Sequence, residues 1–543
     1  MRDPDMTAKA VRSDVAGANY TASRHAAAWA AFARDAESVL QDFESALEHP
    51  ADVQRQQLRR IVSANADTDF GRAHNFAEVE SAEDYQRQVP IADWADLAPL
   101  TERMKAGEAR VLTFEDAFHF ERTSGSGAQS KDVPYTAALM QEFQRALVVW
   151  LASLLRDCPA VAGPSYWSLS PDPAPPEITP AGVTIGSAGD AAYLANSAVE
   201  NLLPTVIGAG AFGADAADSE EWRVRTLGCL ADEADLRMLS VWSPTFLMTI
   251  LSTVLDEATR GAVLDRLRQG LSTDRFKMLC LAAERRNFSL LWPQLAVISC
   301  WADGPSESYA ARLGELFPGC PVVPKGLFAT EGVVSTSWGV GNLRPVALAS
   351  HFLEFVDDDG TPHLVDDVIL GERYRPLLTT AGGLYRYRLG DIVEVDGFLA
   401  GTPCLRFIGR EDHRSDLVGE KLDEAIVAVA FREAGVDASS VLVPDTSVQP
   451  ARYRLITQSS DCAAGQRVED ALNKVHHYAL ARRNGQLGSV ACCYVKSLSE
   501  ILHDAWEAAG KRSGDAKATR LVATADYAAT LVAALQTSNS KRA

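Results

Sequence analysis

Four separated strings carry residue types suited to holding a phosphorylated ligand. The first is Thr123-Ser-Gly-Ser-Gly-Ala-Gln-Ser-Lys131. Its glycines let backbone N–H groups turn toward an anion, the hydroxyls of Thr123, Ser124 and Ser126 can donate to phosphate oxygens, and Lys131 supplies a countercharge. The same composition suits a turn that binds nothing, and the string lacks both a Walker ending and a dinucleotide fingerprint. The second string, Lys325-Gly-Leu-Phe-Ala-Thr-Glu-Gly332, holds Thr330, which can bond a phosphate oxygen, and Glu331, a hard oxygen ligand of the kind Mg2+ accepts beside a polyphosphate. A Thr-Glu pair capping a helix is the plainer reading. Asp391, just past Gly390, is placed to take both hydroxyls of a ribose. Arg410 and, shortly after it, Gly419-Glu-Lys421 make the fourth string.

The elements around these strings give an α/β order. Phe118 to Phe120 reads as a strand end and Tyr135 to Arg156 as a helix, so the first string is expected where a strand hands over to a helix. Leu295 to Cys300 as strand, Ser306 to Phe317 as helix and Val322-Val323 as strand imply a parallel sheet with crossovers, and put Thr330-Glu331 at the carboxyl end of a parallel strand. Residues 351–356, 373–380 and 383–395 read as strands, with Tyr385, Arg386, Tyr387 and Arg388 alternating as on a half-exposed antiparallel strand. From Leu405 a new unit begins, and helix, two strands, helix and strand follow to residue 495. At the other end, residues 1–22 are expected to be a flexible tail, ahead of amphipathic helices over His25–Leu47 and Val53–Ala64.

Composition excludes several partner classes. The chain has 543 residues, 47% of them hydrophobic and 23% charged, and a formal charge of −20, which repels nucleic acid and anionic membrane. Any nucleotide must be held by a local basic pocket, and lysines are scarce: 11 against 41 arginines. Nine scattered cysteines with no C-x-x-C pair read as reduced thiols of a cytoplasmic protein. The most apolar helical run, Ala146 to Leu155, is too short to span a bilayer, and the N-terminus has no apolar signal core.

Taken together, TSGSGAQSK, ATEG, YRLGD and GRxD followed by GEK stand in the order of the adenylate-forming superfamily. Within it, with FGRAHNF, VPIADW, SVWSPTFL, ISCWADG, KGLFATEGVVS and SDLVGEKLDE, the chain resembles the Gretchen Hagen auxin-responsive family of acyl acid amido synthetases, from about residue 60 to 520. The resemblance implies a large adenylate-forming N-terminal body (23–408) with mostly parallel sheets flanked by helices, and a small α+β C-terminal lid (409–543). It implies ATP and Mg2+ as cofactors, a carboxylic acid and an amine or amino acid as substrates, and an acyl-AMP intermediate, with a monomer as the simplest state. Ser124, Gly125, Ser126 and Lys131 would hold phosphates; Ala329 and Thr330 would meet the nucleotide, Glu331 Mg2+, and Asp391 ribose. Arg410 and Lys421 would act when the lid closes, and Lys517 would either enter the site or remain a surface lysine.

The chain departs from the superfamily pattern in three places. Gly127, Ala128 and Ser130 stand in the first loop where the pattern has Thr, Gly and Pro; Leu327 replaces an adenine-side tyrosine, leaving Phe328 to stack; and Asp416 stands where a lysine or arginine is frequent. An acyl-CoA or carrier-protein ligase, a silent nucleotide binder and a scaffold without nucleotide are the alternatives. His119 and His351 read as core histidines, so no base for the amine step is evident. Trp167 to Ser170, Ile185 to Ser187 and Trp242 to Phe246 are expected to line an apolar acyl pocket.

Overall fold

The computed structural model describes residues 4–122, 131–168, 177–186, 197–207, 219–411, 414–415, 417–418, 420, 422–461, 463–483, 486–508, 518–523 and 525–540. The first helix spans Pro4–Ala46 and so begins well before the expected start at His25. No proline interrupts residues 5–49, and the alanine-rich stretch before His25 continues the helix without a stop signal. Its packed portion places Trp29, Phe32 and Ala36 against Trp150 and Leu151 of the helix Ala137–Asp157, and Trp29 Nε1 donates to Gly163 O at 3.0 Å. That second helix is capped by Thr136, which accepts from Leu139 N, and most of its side chains are buried between the N-terminal helix and the sheets.

Strands β3 (Ser165–Trp167), β6 (Met238–Ser240), β7 (Val297–Cys300) and β8 (Val322–Pro324) form a four-stranded parallel sheet in that order. Helices Ser219–Asp232, Pro244–Leu255, Thr273–Arg285 and Glu307–Leu316 connect and cover it around a core that includes Leu247, Ile250, Trp292 and Phe317. As expected for a parallel sheet, its strands are almost wholly buried.

A second sheet holds β1 (His119–Arg122), β2 (Asp132–Tyr135), β4 (Glu177–Ile178) and β5 (Thr184–Gly186), ordered β2-β1-β5-β4. This corrects the expected strand-to-helix junction. β1 and β2 pair antiparallel with Arg122 opposite Asp132, so a strand and not a helix follows the first string, and the helix starts only at Ala137. β2 has just four residues and contains Pro134, a pattern too short and too broken for periodicity to separate from the helix that follows.

The third sheet is antiparallel: β11 (Phe352–Val356), β12 (Pro362–His363), β13 (Arg373–Thr379), β15 (Asp391–Leu399) and β16 (Thr402–Arg410) run β12-β11-β13-β15-β16, with β14 (Tyr387–Arg388) on β13. Residues 383–395 are therefore not one strand. Arg386 has a left-handed φ of 45° and is buried with Tyr385 and Tyr387, so the alternation in the sequence does not correspond to an exposed face.

Beyond β16 lie the short pair β17 (Arg414–Ser415) and β18 (Leu422–Asp423), then β19 (Val441–Asp445), β20 (Arg452–Thr457) and β21 (Ala491–Tyr494) in one three-stranded sheet. Helices Glu424–Ala434, Ala464–Leu472, His476–Arg483, Leu498–Ala508 and Ala525–Ser540 accompany them. Buried clusters here draw on residues from Leu422 to Leu535, whereas those of the body stop at Leu405. Arg520 Nη2 donating to Gly304 O at 2.9 Å, and Arg312 Nη2 to Asp437 Oδ2 at 3.2 Å, tie the two units together. Among the described residues no helix is long and apolar enough to cross a membrane, and the eight described cysteines are free thiols.

Candidate active site

Past the carboxyl end of β8 the chain makes Lys325, Gly326 and Leu327, then a tight hairpin of β9 (Phe328–Ala329) and β10 (Gly332–Val333). Gly326 is obligatory: its φ is +88° and a Cβ there would stand 2.5 Å from Ser335 O. Thr330 and Glu331 form the two-residue turn, since Ala329 pairs with Gly332. They thus sit beyond the parallel strand on a hairpin of their own, neither at the strand end itself nor at a helix cap. Tyr135 OH donates to Thr330 O at 2.8 Å, fixing the turn to β2.

The end of the first string meets this turn. Lys131 Nζ lies 3.2 Å from Glu331 Oε1 and donates to Tyr387 OH at 2.7 Å, although the three residues come from three separate segments. Burial alone would pull the Lys131 pKa down, but the Glu331 carboxylate and the Tyr387 oxygen outweigh it and hold the ammonium above its ordinary value. Tyr387 is pushed up to about 12 by burial and by Glu331. At neutral pH Lys131 is therefore a cation and Tyr387 a neutral phenol, and both lie against Glu331, which is 7% exposed.

Asp391 and Arg410 are opposite partners of β15 and β16, with Arg410 Nη1 3.1 Å from Asp391 Oδ1. Asp391 is 3% exposed, and Arg410 Nη2 also donates to Leu389 O at 3.3 Å. Both line a cleft together with Trp301, Phe328, Lys325 and Glu424. Phe328, named from the sequence as a stacking candidate, joins an aromatic wall: Trp242 lies 6.1 Å from Phe328 and 5.8 Å from Trp301, centroid to centroid. Lys325 is buried between Trp150 and Trp242, 4.2 and 5.1 Å from their ring centres, and donates to Ser240 Oγ at 2.7 Å.

The structure brings together Lys131, Ala329, Thr330, Glu331, Asp391 and Arg410 from the sequence-derived set. Ser124, Gly125, Ser126, Lys421 and Lys517 lie outside the described residues. Of the expected acyl-pocket residues, Trp242 touches the site, while Leu169, Ser170 and Ser187 lie outside the description. His351 Nδ1 is 2.7 Å from Glu142 Oε2 and His119 Nε2 is 3.0 Å from Gly186 O, and both histidines are buried. Sequence reasoning missed Tyr387, Tyr135, Lys325 and Glu424 as site residues. For Lys325 a signal existed, the scarcity of lysine, but no spacing rule links it to Trp150 or Ser240.

Against known families, the GH3 family N-terminal domain matches residues 39–276 and the GH3 family central domain matches residues 345–410. The chain belongs to the GH3 family. A GH3 relative from Oryza sativa subsp. japonica, described as a probable indole-3-acetic acid-amido synthetase, is 26% identical over 450 residues, covering 69% of this chain and 72% of its own. A jasmonoyl-L-amino acid synthetase from Nicotiana attenuata is 22% identical over 527 residues, covering 85% of this chain and 89% of its own. The fold is shared with the solved structure of a GH3 acyl acid amido synthetase in complex with 2,4-DB, with a TM-score of 0.75, 17% identity and coverage of 92% of this chain and 96% of that one.

Proposed function

We propose that this GH3 protein is an ATP-dependent acyl acid amido synthetase. The observation that carries the reading is the meeting of Lys131 with Glu331 beside the cleft that Asp391 and Arg410 line, all positioned by sequence-distant segments. Family membership and the amido synthetases among its relatives support it.

In this reading a carboxylate oxygen of the acid attacks the α-phosphorus of ATP, the bond to the bridging oxygen of pyrophosphate breaks, and acyl-AMP results. Lys131 and Arg410 offset the phosphate charge and Asp391 holds the ribose hydroxyls, so the residues act mainly by clamping and neutralising. Glu331 is the residue that would hold Mg2+, which supplies further neutralisation of the leaving pyrophosphate. One buried carboxylate fits this demand, because Mg2+ with a nucleotide needs only one or two protein carboxylates. An amine then displaces AMP from the acyl carbon to form the amide. Ser124, Gly125 and Ser126 complete the phosphate grip, and Lys421, with Lys517, serves from a lid that begins near residue 409. The apolar wall of Trp242, Trp301 and Phe328 suits an aromatic or aliphatic acid; an amino acid acceptor and a cytoplasmic setting complete the proposal.

A panel of carboxylic acids tested for pyrophosphate release, each with and without amino acids, checks the proposal, with products read by mass spectrometry. Acid-dependent pyrophosphate and an amide of the matching mass are expected. Acyl-CoA formed in place of amide, or no acid dependence at all, would overturn it.

A further inference from the structure

Glu424 is a buried carboxylate that the cleft leaves half satisfied. It opens the helix Glu424–Ala434 and is 3% exposed. Its Oε1 accepts from Thr519 Oγ1, from Arg520 N at 2.7 Å and from Leu521 N at 3.2 Å, which ties the helix start to the returning chain. Its Oε2 has no hydrogen-bond partner among the described residues, yet Glu424 lines the same cleft as Asp391 and Arg410. A buried carboxylate oxygen without a donor is costly, so keeping one on a ligand cleft points to a donor that arrives with a substrate.

Which substrate follows from charge. The nucleotide's phosphates are anionic, Asp391 is the carboxylate set for its ribose, and its adenine amino group is a neutral donor. The group complementary to an enclosed second carboxylate is an ammonium. Burial also pushes the Glu424 carboxyl up, only partly offset by the bonds from Thr519, Leu521 and Arg520, which makes it a better proton acceptor than an exposed glutamate.

We propose that Glu424 Oε2 receives the ammonium group of the amine substrate and takes one of its protons before acyl transfer. This rests on the amido synthetase reading. The freed nitrogen lone pair forms the C–N bond to the acyl carbon, the C–O bond to the AMP phosphate breaks, and AMP leaves with that electron pair. The second proton on nitrogen passes to water, leaving the neutral amide.

The test compares the full-length wild-type protein with Glu424→Gln, using an acid that the wild type activates and two acceptors: an amino acid, and hydroxylamine, whose nitrogen is largely unprotonated at neutral pH. Amide formed per pyrophosphate released with the amino acid should fall roughly 100-fold in the variant, whereas hydroxamate per pyrophosphate should not follow it down. In the wild type, exchanging the amino acid for hydroxylamine should also remove the acidic limb of the transfer step's pH profile, a result that needs no variant to fold. An amide ratio equal to wild type, hydroxamate falling in step with amide, or an acidic limb that persists with hydroxylamine overturns the assignment. A wild type that releases no pyrophosphate with any acid defeats the synthetase reading itself, which is a separate result.

Discussion

Two arginine–carboxylate pairs flank the turn at Gly390, and they differ in what surrounds them. Arg386 is 4% exposed and Glu354 1%; Nε and Nη2 of Arg386 each donate to the Glu354 carboxylate at 2.9 Å, and Nη1 donates to Gln86 O and Val89 O. The guanidinium fork is filled by protein, and the pair ties the end of the helix Ala82–Gln88 to the antiparallel sheet. Arg410 and Asp391 form a pair of the same charges, but on the wall of a cleft. A pair enclosed by protein acceptors holds the fold, whereas a pair bordering open volume can exchange its partners for a ligand's. Similar composition in one YRYRLGD segment thus serves two purposes, and burial with partner geometry separates them.

The comparison breaks most visibly at the enclosed pair. Arg386→Ala leaves Glu354 buried and uncompensated, so the unfolding free energy from urea denaturation should drop by about 3–5 kcal/mol; a stability equal to wild type would show that this pair does not hold the fold. Asp391→Ala should act the other way round. Acid-dependent turnover is expected to fall roughly 100-fold or more, with a melting temperature close to wild type. An unchanged rate would remove the ribose assignment, and a collapse in stability would make the pair structural after all.

Lys131→Met tests the next rank, with kcat/KM for ATP expected to fall roughly 10- to 100-fold. Its pH signature has a definite sign. Lys131 has a folded pKa above the ordinary 10.5, so its contribution to stability is fully present below the unfolded value and is lost as pH rises through the folded one. The variant's stability should lack that alkaline decline in thermal melts taken above the ordinary lysine range. The smallest effect is expected at the pairing of β1 with β2, where Asp132 accepts from Arg122 and Lys105 at 2.8 and 2.6 Å. Although burial works against it, these two cations hold the Asp132 carboxyl below 3.8. Its contribution is therefore present above the unfolded pKa and lost as pH falls through the folded one, and Asp132→Asn should flatten the acid side of the stability curve.

Sequence reading reached the site better than it reached the site's scaffolding. The parallel strands 297–300 and 322–324 were legible as short apolar runs on either side of an amphipathic helix, Glu307–Leu316, whose period marks the crossover. The strand pairs of 119–122 with 132–135 and of 328–329 with 332–333 were not, since strands of two to four residues show no alternation and no periodic helix sets them apart. Lys131, Glu331, Asp391 and Arg410 stood out by residue type and order. Tyr387 did not, because an aromatic in an alternating run gives no sign that a lysine 256 residues away will bond its hydroxyl. Arg386 was misread for the same reason: alternation says nothing of a left-handed φ that turns the side chain inward. Glu424 was hidden as an ordinary acidic residue in the first turn of a helix, a position that carboxylates favour without any function.

The central claim is that the acid's own oxygen attacks the α-phosphorus. Carboxylic acid labelled with 18O, turned over with ATP and an amino acid, traces that bond directly. The account expects one labelled oxygen to appear in AMP when the amide forms; label found instead in inorganic phosphate, or AMP released without label, would contradict it.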